Sequence, residues 1–185
     1  MRAAVQNDET MIERLEVRES QPTEDASIEK LYPAAFPDEE LRPLVRKLLK
    51  EGPTVLSLVG IVDKALAGHA MFTTCSISGT TDRVALLAPL AVAPAWQRQG
   101  IGGAIVRAGL QRLENAGFTQ IYVLGDPAYY GRFGFVPDDG VAPPYPLPED
   151  WRGAWQSISL GSSEPPRQGK LCVPAPWRDP ALWAP

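Results

Sequence analysis

The sequence is poor in the residues that usually carry disulfide and metal chemistry. Among 185 residues it has two cysteines, Cys75 and Cys172, and one histidine, His69. The cysteines do not form a CxxC pair, and their spacing from His69 is not that of metal ligands, so we expect no metal site. Two distant cysteines are typical of a reducing compartment, so we expect free thiols rather than a structural disulfide.

Long hydrophobic runs and an excess of positive charge are also missing. No apolar stretch approaches the roughly 20 residues that span a membrane. Residues 1–10 contain Asp8 and Glu9 in place of the apolar core of a signal peptide. With 18 Lys and Arg against 22 Asp and Glu, the net charge is -4, and no basic stripe indicates nucleic-acid binding. The sequence therefore predicts a cytoplasmic protein that binds neither membranes nor nucleic acid.

Proline, in contrast, is abundant, and more than half of the 19 prolines lie after residue 136. A segment so rich in proline cannot sustain long helices or central strands. We predict a disordered leader over residues 1–10, a catalytic core over residues 11–136 and a loop-rich extension over residues 137–185 that packs on the same domain. The extension carries four tryptophans, which we expect to anchor it by packing, although covering a substrate cleft is an alternative: Trp151, Trp155, Trp177 and Trp183.

Hydrophobic periodicity predicts an α+β fold. Strands are predicted over residues 11–18, 55–62, 66–78, 84–92 (interrupted at Pro89) and 118–124, with weaker candidates over residues 155–160 and 170–173. Helices are predicted from Ser20 or Thr23 to Phe36, from Pro37 to Leu49, from Ile101 to Ala116 and from Asp126 to a stop at Gly134, after which Phe135 and Val136 begin another strand. Gly117 is expected to end the third of these helices.

The most informative segment runs from a strand through a glycine-containing loop into a helix. It contains Leu90, Ala91 and Val92, followed by Gln97, Arg98, Gln99, Gly100, Ile101 and Gly102. The first turn of a helix has N–H groups without intrahelical acceptors and favours anions, and glycines let a phosphate approach closely. The pattern indicates a ligand with a pyrophosphate, and tight helix–sheet packing is the alternative reason for the glycines. A Walker A lysine and a complete GxGxxG pattern are both missing.

Two motifs carry a family resemblance. Residues 97–102 resemble the acetyl-CoA signature [R/Q]-x-x-G-x-[G/A] of the Gcn5-related N-acetyltransferase (GNAT) superfamily. Residues 130–135, Tyr-Gly-Arg-Phe-Gly-Phe, resemble its Y-x-x-x-G-F segment, and the wider string over residues 124–135, together with Gly68-His69, is similar to the YhbS-like branch. The resemblance covers residues 11–136 and implies a mixed, mostly antiparallel central sheet flanked by helices. That sheet would be splayed at a bulge in the strand before the phosphate loop.

The resemblance also implies the function and the site. It implies transfer of the acetyl group of acetyl-CoA to a primary amine of a small molecule or peptide, by direct attack through a tetrahedral intermediate. Main-chain atoms of Leu90, Ala91 and Val92 would bind the pantetheine arm, and residues 97–102 would cradle the pyrophosphate. The Val92 N–H is a candidate donor to the oxyanion. Tyr130, four residues before Gly134, would protonate the CoA thiolate, whereas packing of its ring against the sheet is the structural alternative.

Other features of the reaction stay open at the level of sequence. His69, Glu39, Glu40 and Asp126 are candidates for the general base, but Asp126 is better explained as a helix N-cap, and water can carry the proton, so we assign no base. A non-catalytic acyl-CoA-binding or interaction module is the alternative function. Retention of Tyr130 beside an intact phosphate loop favours the enzyme. The acceptor does not follow from the sequence, and dimers are common in the family, so a homodimer is one expectation.

Overall fold

Strands supply most of the regular structure in the computed structural model of the chain, which describes residues 14–161 and 167–184. In these residues the nine strands are β1 (Leu15–Glu19), β2 (Val55–Val62), β3 (Ala65–Ile77), β4 (Val84–Val92), β5 (Gln120–Leu124), β6 (Val136–Pro137), β7 (Val141–Ala142), β8 (Trp155–Ser159) and β9 (Gly169–Cys172). The α-helices are α1 (Asp25–Ala35), α2 (Arg42–Leu49), α3 (Ile101–Asn115) and α4 (Pro127–Tyr130).

The described residues form two compact units. Unit 1 contains the described residues up to Met71 together with Pro89–Gly109, and unit 2 contains Phe72–Ala88 and the described residues from Leu110 onward. The strands β3 and β4 and the helix α3 each contribute residues to both units.

In unit 1 the strand order is β1-β2-β3-β4. β1 and β2 are antiparallel, from Leu15 opposite Val62 to Glu19 opposite Leu58. Helices α1 and α2 each bury an apolar stripe at helical spacing, with Ile28 and Val45 fully buried. These stripes and the inner face of β2 form the core of this unit.

Two glycines let α3 pack closely in unit 1. A Cβ atom at Gly60 would lie 3.0 Å from Cδ1 of Ile105, and one at Gly68 would lie 2.9 Å from the same atom. Ile101 and Ile105, on the apolar stripe of α3, are buried at these positions. The small residues on β2 and β3 therefore fix where the N-terminal turn of α3 lies.

In unit 2 the strand order is β3-β4-β5-β8-β6. β5 is parallel to β4, but the pairing joins only residues 84–86 to residues 120–122, and residues 87–92 of β4 continue past it. β8 is antiparallel to β5 over the full length of both strands, and β9 is antiparallel to the end of β3 at Ser76 and Ile77. The chain thus has a mostly antiparallel central sheet flanked by helices, as the sequence predicts.

Tryptophans of the proline-rich segment build a cluster in unit 2. The ring of Trp155 stacks on Tyr122 at 5.4 Å, and Trp183 lies 6.0 Å from Trp155 and 6.1 Å from Trp177. The indole N–H of Trp177 donates to Oγ1 of Thr73 at 3.0 Å, so the segment is also anchored to β3. Three of the four tryptophans therefore contribute to packing, and Trp151 is half-buried outside this cluster. The division into residues 1–10, 11–136 and 137–185 stays a prediction.

Several predicted boundaries differ from the structure. α2 begins at Arg42 rather than at Pro37, because Pro43 has no N–H and fits only the first turn of a helix. β4 runs through Pro89 without the predicted interruption. The predicted leader and the first residues of the first strand lie in residues 1–13, outside the described residues. None of the helices in the described part of the chain has the length and apolar content needed to cross a bilayer.

Candidate active site

The end of β4 is the first part of the candidate site. Leu90, Ala91 and Val92 are the last residues of this strand, and Ala93 directly after them donates its N–H to the carbonyl of Ala67 at 2.8 Å. Ala91 is buried, whereas Leu90 and Val92 keep part of their surface exposed. Unit 1 therefore holds three extended residues, two of them with partly accessible surface, which suits main-chain pairing with an extended amide ligand.

The loop after β4 has an unusual backbone. A short 3-10 helix over Pro94–Trp96 leads into residues 97–100, where φ is 61° at Arg98 and 80° at Gly100. A positive φ is uncommon for a residue with a Cβ atom, and such strain is concentrated at ligand-binding and catalytic sites. Gln97, directly before Arg98, is extended, so the chain changes direction sharply at Arg98 and again at Gly100, where α3 begins.

Two glutamine side chains fix this loop on its own backbone. The side-chain amide of Gln97 donates to the carbonyl of Val92 at 3.0 Å, and that of Gln99 donates to the carbonyl of Ala95 at 3.1 Å. Both side-chain amides therefore connect the loop by hydrogen bonds to residues that precede them in unit 1. Any contribution of Gln97 and Gln99 to an anion site then comes from main-chain groups.

Helix α3 presents a first turn that is suited to a phosphate. The N–H of Ala104 donates to the carbonyl of Gly100 at 3.0 Å, which makes Gly100 the N-cap of the helix. The N–H groups of Ile101, Gly102 and Gly103 precede this bond and have no intrahelical acceptor. Gly102 and Gly103 have no side chain to block these groups, and the helix dipole adds partial positive charge there. The structure thus brings all nine predicted cofactor-binding residues together in unit 1.

Tyr130 belongs to unit 2, at the end of α4. Asp126 caps this helix, because its Oδ1 accepts the N–H of Ala128 at 2.8 Å. The ring of Tyr130 lies against the Cα of Gly125, where any Cβ atom would overlap it, and edge to face with Phe135 at 5.7 Å. Burial raises the pKa of the Tyr130 hydroxyl, and neighbouring Tyr129 adds to the effect. The hydroxyl therefore stays protonated at neutral pH.

Tyr129 has different surroundings from its neighbour. The guanidinium of Arg132 lies 4.4 Å from the centre of the Tyr129 ring, and Phe133 packs against the same ring at 5.5 Å. The two tyrosines thus face different groups, as expected for adjacent residues of a helix.

Three of the four candidate bases have side-chain partners that fit structural roles. Glu39 is exposed, and Glu40 is paired with Arg42 at 2.8 Å on the surface. Asp126 is the cap of α4. His69 is fully buried, with its ring nitrogens 2.7 Å from the hydroxyl of Tyr32 and 2.8 Å from Oγ of Ser57.

Sequence reasoning did not select some residues that shape the site. Gly125 accommodates the Tyr130 ring. Its position directly before the N-cap Asp126 and Pro127 is the feature of the sequence that could have identified it. Tyr32 and Ser57 contact His69 from positions 37 and 12 residues away, and no local pattern identifies them. Among the described residues, no group of three or more His, Cys, Asp or Glu side chains is arranged to hold a metal ion.

A helix start with unpaired N–H groups, directly after an extended strand with partly accessible surface, suits a ligand that joins a pyrophosphate to an amide-containing arm, as CoA does. Residues 25–135 match the Acetyltransferase (GNAT) family, a span that includes both the loop after β4 and Tyr130. This match extends over more than half of the chain, and the protein belongs to the GNAT family.

Relatives and solved structures agree with this assignment. The chain is 37% identical to the uncharacterized N-acetyltransferase YjhQ of Escherichia coli over 144 residues, which cover 74% of this chain and 80% of YjhQ. A GNAT acetyltransferase of Brucella melitensis, solved with acetyl-CoA, is 30% identical with a TM-score of 0.72, over 88% of this chain and 97% of the other. YhbS of Escherichia coli, solved with CoA, is 26% identical with a TM-score of 0.77, over 90% and 93%. The protein is an N-acetyltransferase, which confirms the predicted family, fold and enzyme class.

Proposed function

We propose that this enzyme transfers the acetyl group of acetyl-CoA to a primary amine of a small molecule or peptide. The observation that carries the proposal is the first turn of α3, where the N–H groups of Ile101, Gly102 and Gly103 precede the first helical bond. Two structures similar to this chain hold acetyl-CoA or CoA. A cytoplasmic location and formation of a homodimer stay predictions.

The residues of unit 1 bind and orient the donor in this proposal. Main-chain N–H groups of residues 97–102 hold the pyrophosphate, and the Gln97 and Gln99 side chains keep the loop in the shape that presents them. Main-chain groups of residues 90–92 pair with the amides of the pantetheine arm, much as an added strand would. The N–H of Val92 then donates to the thioester oxygen as negative charge develops there.

Tyr130 acts at the departing sulfur. As the amine attacks the thioester carbon, the bond between carbon and sulfur breaks and the thiolate takes the proton of the Tyr130 hydroxyl. The Tyr130 oxygen then regains a proton from the water that received the proton of the amine. Burial keeps that proton on the oxygen at neutral pH. The packing of the Tyr130 ring over Gly125 holds the side chain in one orientation. We assign no side chain as the base that receives the proton of the amine, and water serves in this scheme.

Calorimetric titration with acetyl-CoA tests the binding part of the proposal. Wild-type protein is expected to bind, whereas Gly102→Glu is expected to lose binding, because a carboxylate at the first turn of α3 repels the pyrophosphate and fills its place. Gly153→Ala is the control, since a Cβ atom at Gly153 meets nothing within 4 Å. A folded Gly102→Glu variant with wild-type affinity, or a wild-type protein that binds neither acetyl-CoA nor CoA at millimolar concentration, contradicts the proposal.

The acceptor is identified by measuring CoA release. Candidate acceptors are simple amines, aminoglycosides, polyamines and peptides, each supplied with acetyl-CoA and compared with hydrolysis in the absence of an amine. Release that requires a primary amine and disappears when that amine is methylated to the tertiary level supports transfer to nitrogen. Binding of acetyl-CoA without release for any acceptor class favours the non-catalytic acyl-CoA-binding module.

A further inference from the structure

A chain of hydrogen-bonded side chains crosses unit 1 and ends on β4. Oγ of Ser20 donates to Oγ of Ser57 at 2.7 Å, and Ser57 lies 2.8 Å from Nε2 of His69. Nδ1 of His69 lies 2.7 Å from the hydroxyl oxygen of Tyr32, which donates to the carbonyl of Pro89 at 3.4 Å. Each residue comes from a different segment: Ser20 directly follows β1, and the others lie in β2, β3, α1 and β4.

The positions of the protons follow from the number of donors. We assign the single hydroxyl proton of Tyr32 to the Pro89 carbonyl, because only then are both contacts of this hydroxyl hydrogen bonds, and the Tyr32 oxygen then accepts the proton on Nδ1 of His69. A neutral imidazole has one N–H, so Nε2 is an acceptor and receives the hydroxyl proton of Ser57. Ser57 in turn accepts from Ser20. All four contacts are satisfied only when every donor points toward Pro89 and His69 is the neutral Nδ1–H tautomer.

The surroundings of His69 keep the ring neutral. His69 and Tyr32 are both fully buried. Burial lowers the pKa of His69 to about 3, and Glu24 is the carboxylate whose charge opposes this effect. Glu24 is itself paired with Arg18 at 2.7 Å, which weakens its field at the ring. A protonated ring would donate from both nitrogens, and the Ser57 hydroxyl proton would lose its acceptor.

The end of the hydrogen-bond chain lies next to the residues that we assign to the donor. Pro89 has no N–H, so its carbonyl is its only main-chain hydrogen-bonding group, and residues 90–92 follow directly. We infer that His69, as the Nδ1–H tautomer, fixes the Pro89 carbonyl through Tyr32 and so sets the backbone path of residues 90–92 for acetyl-CoA. Because both side chains are fully buried, they are positioning residues and do not touch the substrate. The effect on acetyl-CoA rests on the proposed function, whereas the tautomer does not.

Nitrogen NMR of the imidazole tests the tautomer directly. His69 is the only histidine in the 185 residues, so an untagged sample with ¹⁵N-labelled histidine gives one imidazole spectrum. We expect a protonated Nδ1 and an unprotonated Nε2, unchanged from about pH 8 to about pH 5.5, where an ordinary histidine would be mostly charged. An Nε2–H tautomer, or titration near pH 6.5, overturns the inference.

Two variants test the two hydrogen bonds of the His69 ring separately. Tyr32→Phe removes the acceptor of the Nδ1 proton, so the Nε2–H form is expected to become the main tautomer. Ser57→Ala removes only the donor to Nε2, so the Nδ1–H form is expected to persist. The opposite pattern, or the same tautomer in both folded variants, contradicts the direction that we assign. If Tyr32→Phe does not fold, the wild-type spectrum and Ser57→Ala still decide the tautomer.

Binding of acetyl-CoA tests the positioning role. Loss of one hydrogen bond that shapes residues 90–92 is expected to raise the dissociation constant and KM for acetyl-CoA on the order of fivefold in Tyr32→Phe, with kcat nearly unchanged. Tyr145→Phe, at a half-buried tyrosine of unit 2, is the control. A Tyr32→Phe protein that changes tautomer but keeps wild-type affinity refutes the positioning role. A wild-type protein that does not bind acetyl-CoA refutes the proposed function and leaves the tautomer result standing.

Discussion

The buried histidine makes the stability of this enzyme depend on pH in a range that begins above the ordinary pKa of carboxylates. Burial lowers the pKa of His69 from its ordinary 6.5 to about 3. Below pH 6.5 the unfolded chain binds a proton at this histidine that the native state does not take. The free energy of unfolding therefore falls as pH falls from 6.5 toward 3, by roughly 1 kcal/mol per pH unit, and about 2–3 kcal/mol is lost by pH 4.5.

Urea unfolding at pH 7.5, 6.5, 5.5 and 4.5, followed by tryptophan fluorescence, measures this loss. His69→Gln is the reference, because it removes the titrating group while keeping a polar side chain of similar reach. The variant starts from a lower stability, but its free energy of unfolding should change less between pH 6.5 and 4.5. The difference in slope between the two proteins isolates His69, since every other group is common to both.

Other groups with shifted pKa values do not produce this difference in pH dependence between wild type and His69→Gln. The pKa of Glu24 and that of Glu29 are lowered by Arg18 and Arg46, so these pairs lose their contribution only as pH falls through and below the ordinary range of glutamate. Burial raises the pKa of Asp25, which works in the opposite direction as pH falls. Parallel pH profiles for wild type and His69→Gln between pH 6.5 and 4.5 would show that the native histidine takes up its proton normally, which refutes the reasoning.

The remaining predictions concern single residues of the candidate site. Tyr130→Phe should lower kcat by about 10²-fold with little change in acetyl-CoA affinity, and equal loss in the control Tyr129→Phe would refute the assignment. Gly125→Ala displaces the Tyr130 ring, so steady-state kinetics should show a fall in kcat like that of Tyr130→Phe. Gly68→Ala places a Cβ atom 2.9 Å from a side chain of α3, so urea titration should show a loss of about 1–3 kcal/mol, and calorimetry weaker acetyl-CoA binding. Gly153→Ala should match wild type in both measurements, and the same loss there would contradict the packing argument.

Local patterns predicted the elements whose ends are determined by nearby residues. α3 ends just before Gly117, which has a φ of 80°. The N–H of Gly117 donates to the carbonyl of Glu114, and the N–H of Phe118 donates to the carbonyl of Leu113. These two bonds form a Schellman motif, which needs only a glycine and an apolar residue in the right places. The N-cap at Asp126 is local in the same way. Both features were therefore readable from the sequence.

The role of His69 was not readable, because it depends on residues that are distant along the chain. From the sequence, this histidine was one of four candidate bases, and its isolation gave no means of choosing a role. Its partners are Tyr32 and Ser57, and the next contacts are Ser20 and Pro89, on four segments other than its own strand. Only the pairing of strands and the packing of α1 bring these groups within hydrogen-bonding distance. The path of β4 through Pro89 escaped prediction for the same reason.

We propose different roles for Tyr32 and Tyr130, and the two side chains have different environments. The hydroxyl of Tyr32 is engaged on both sides, by His69 and by the Pro89 carbonyl, and the residue has no exposed surface. A hydroxyl so placed can hold the backbone but cannot reach a departing thiolate. Tyr130 is half-buried at the end of a short helix, and burial raises the pKa of its hydroxyl, so the group is a neutral hydrogen-bond donor at neutral pH. Removing the first hydroxyl should therefore appear in the KM for acetyl-CoA, and removing the second in kcat.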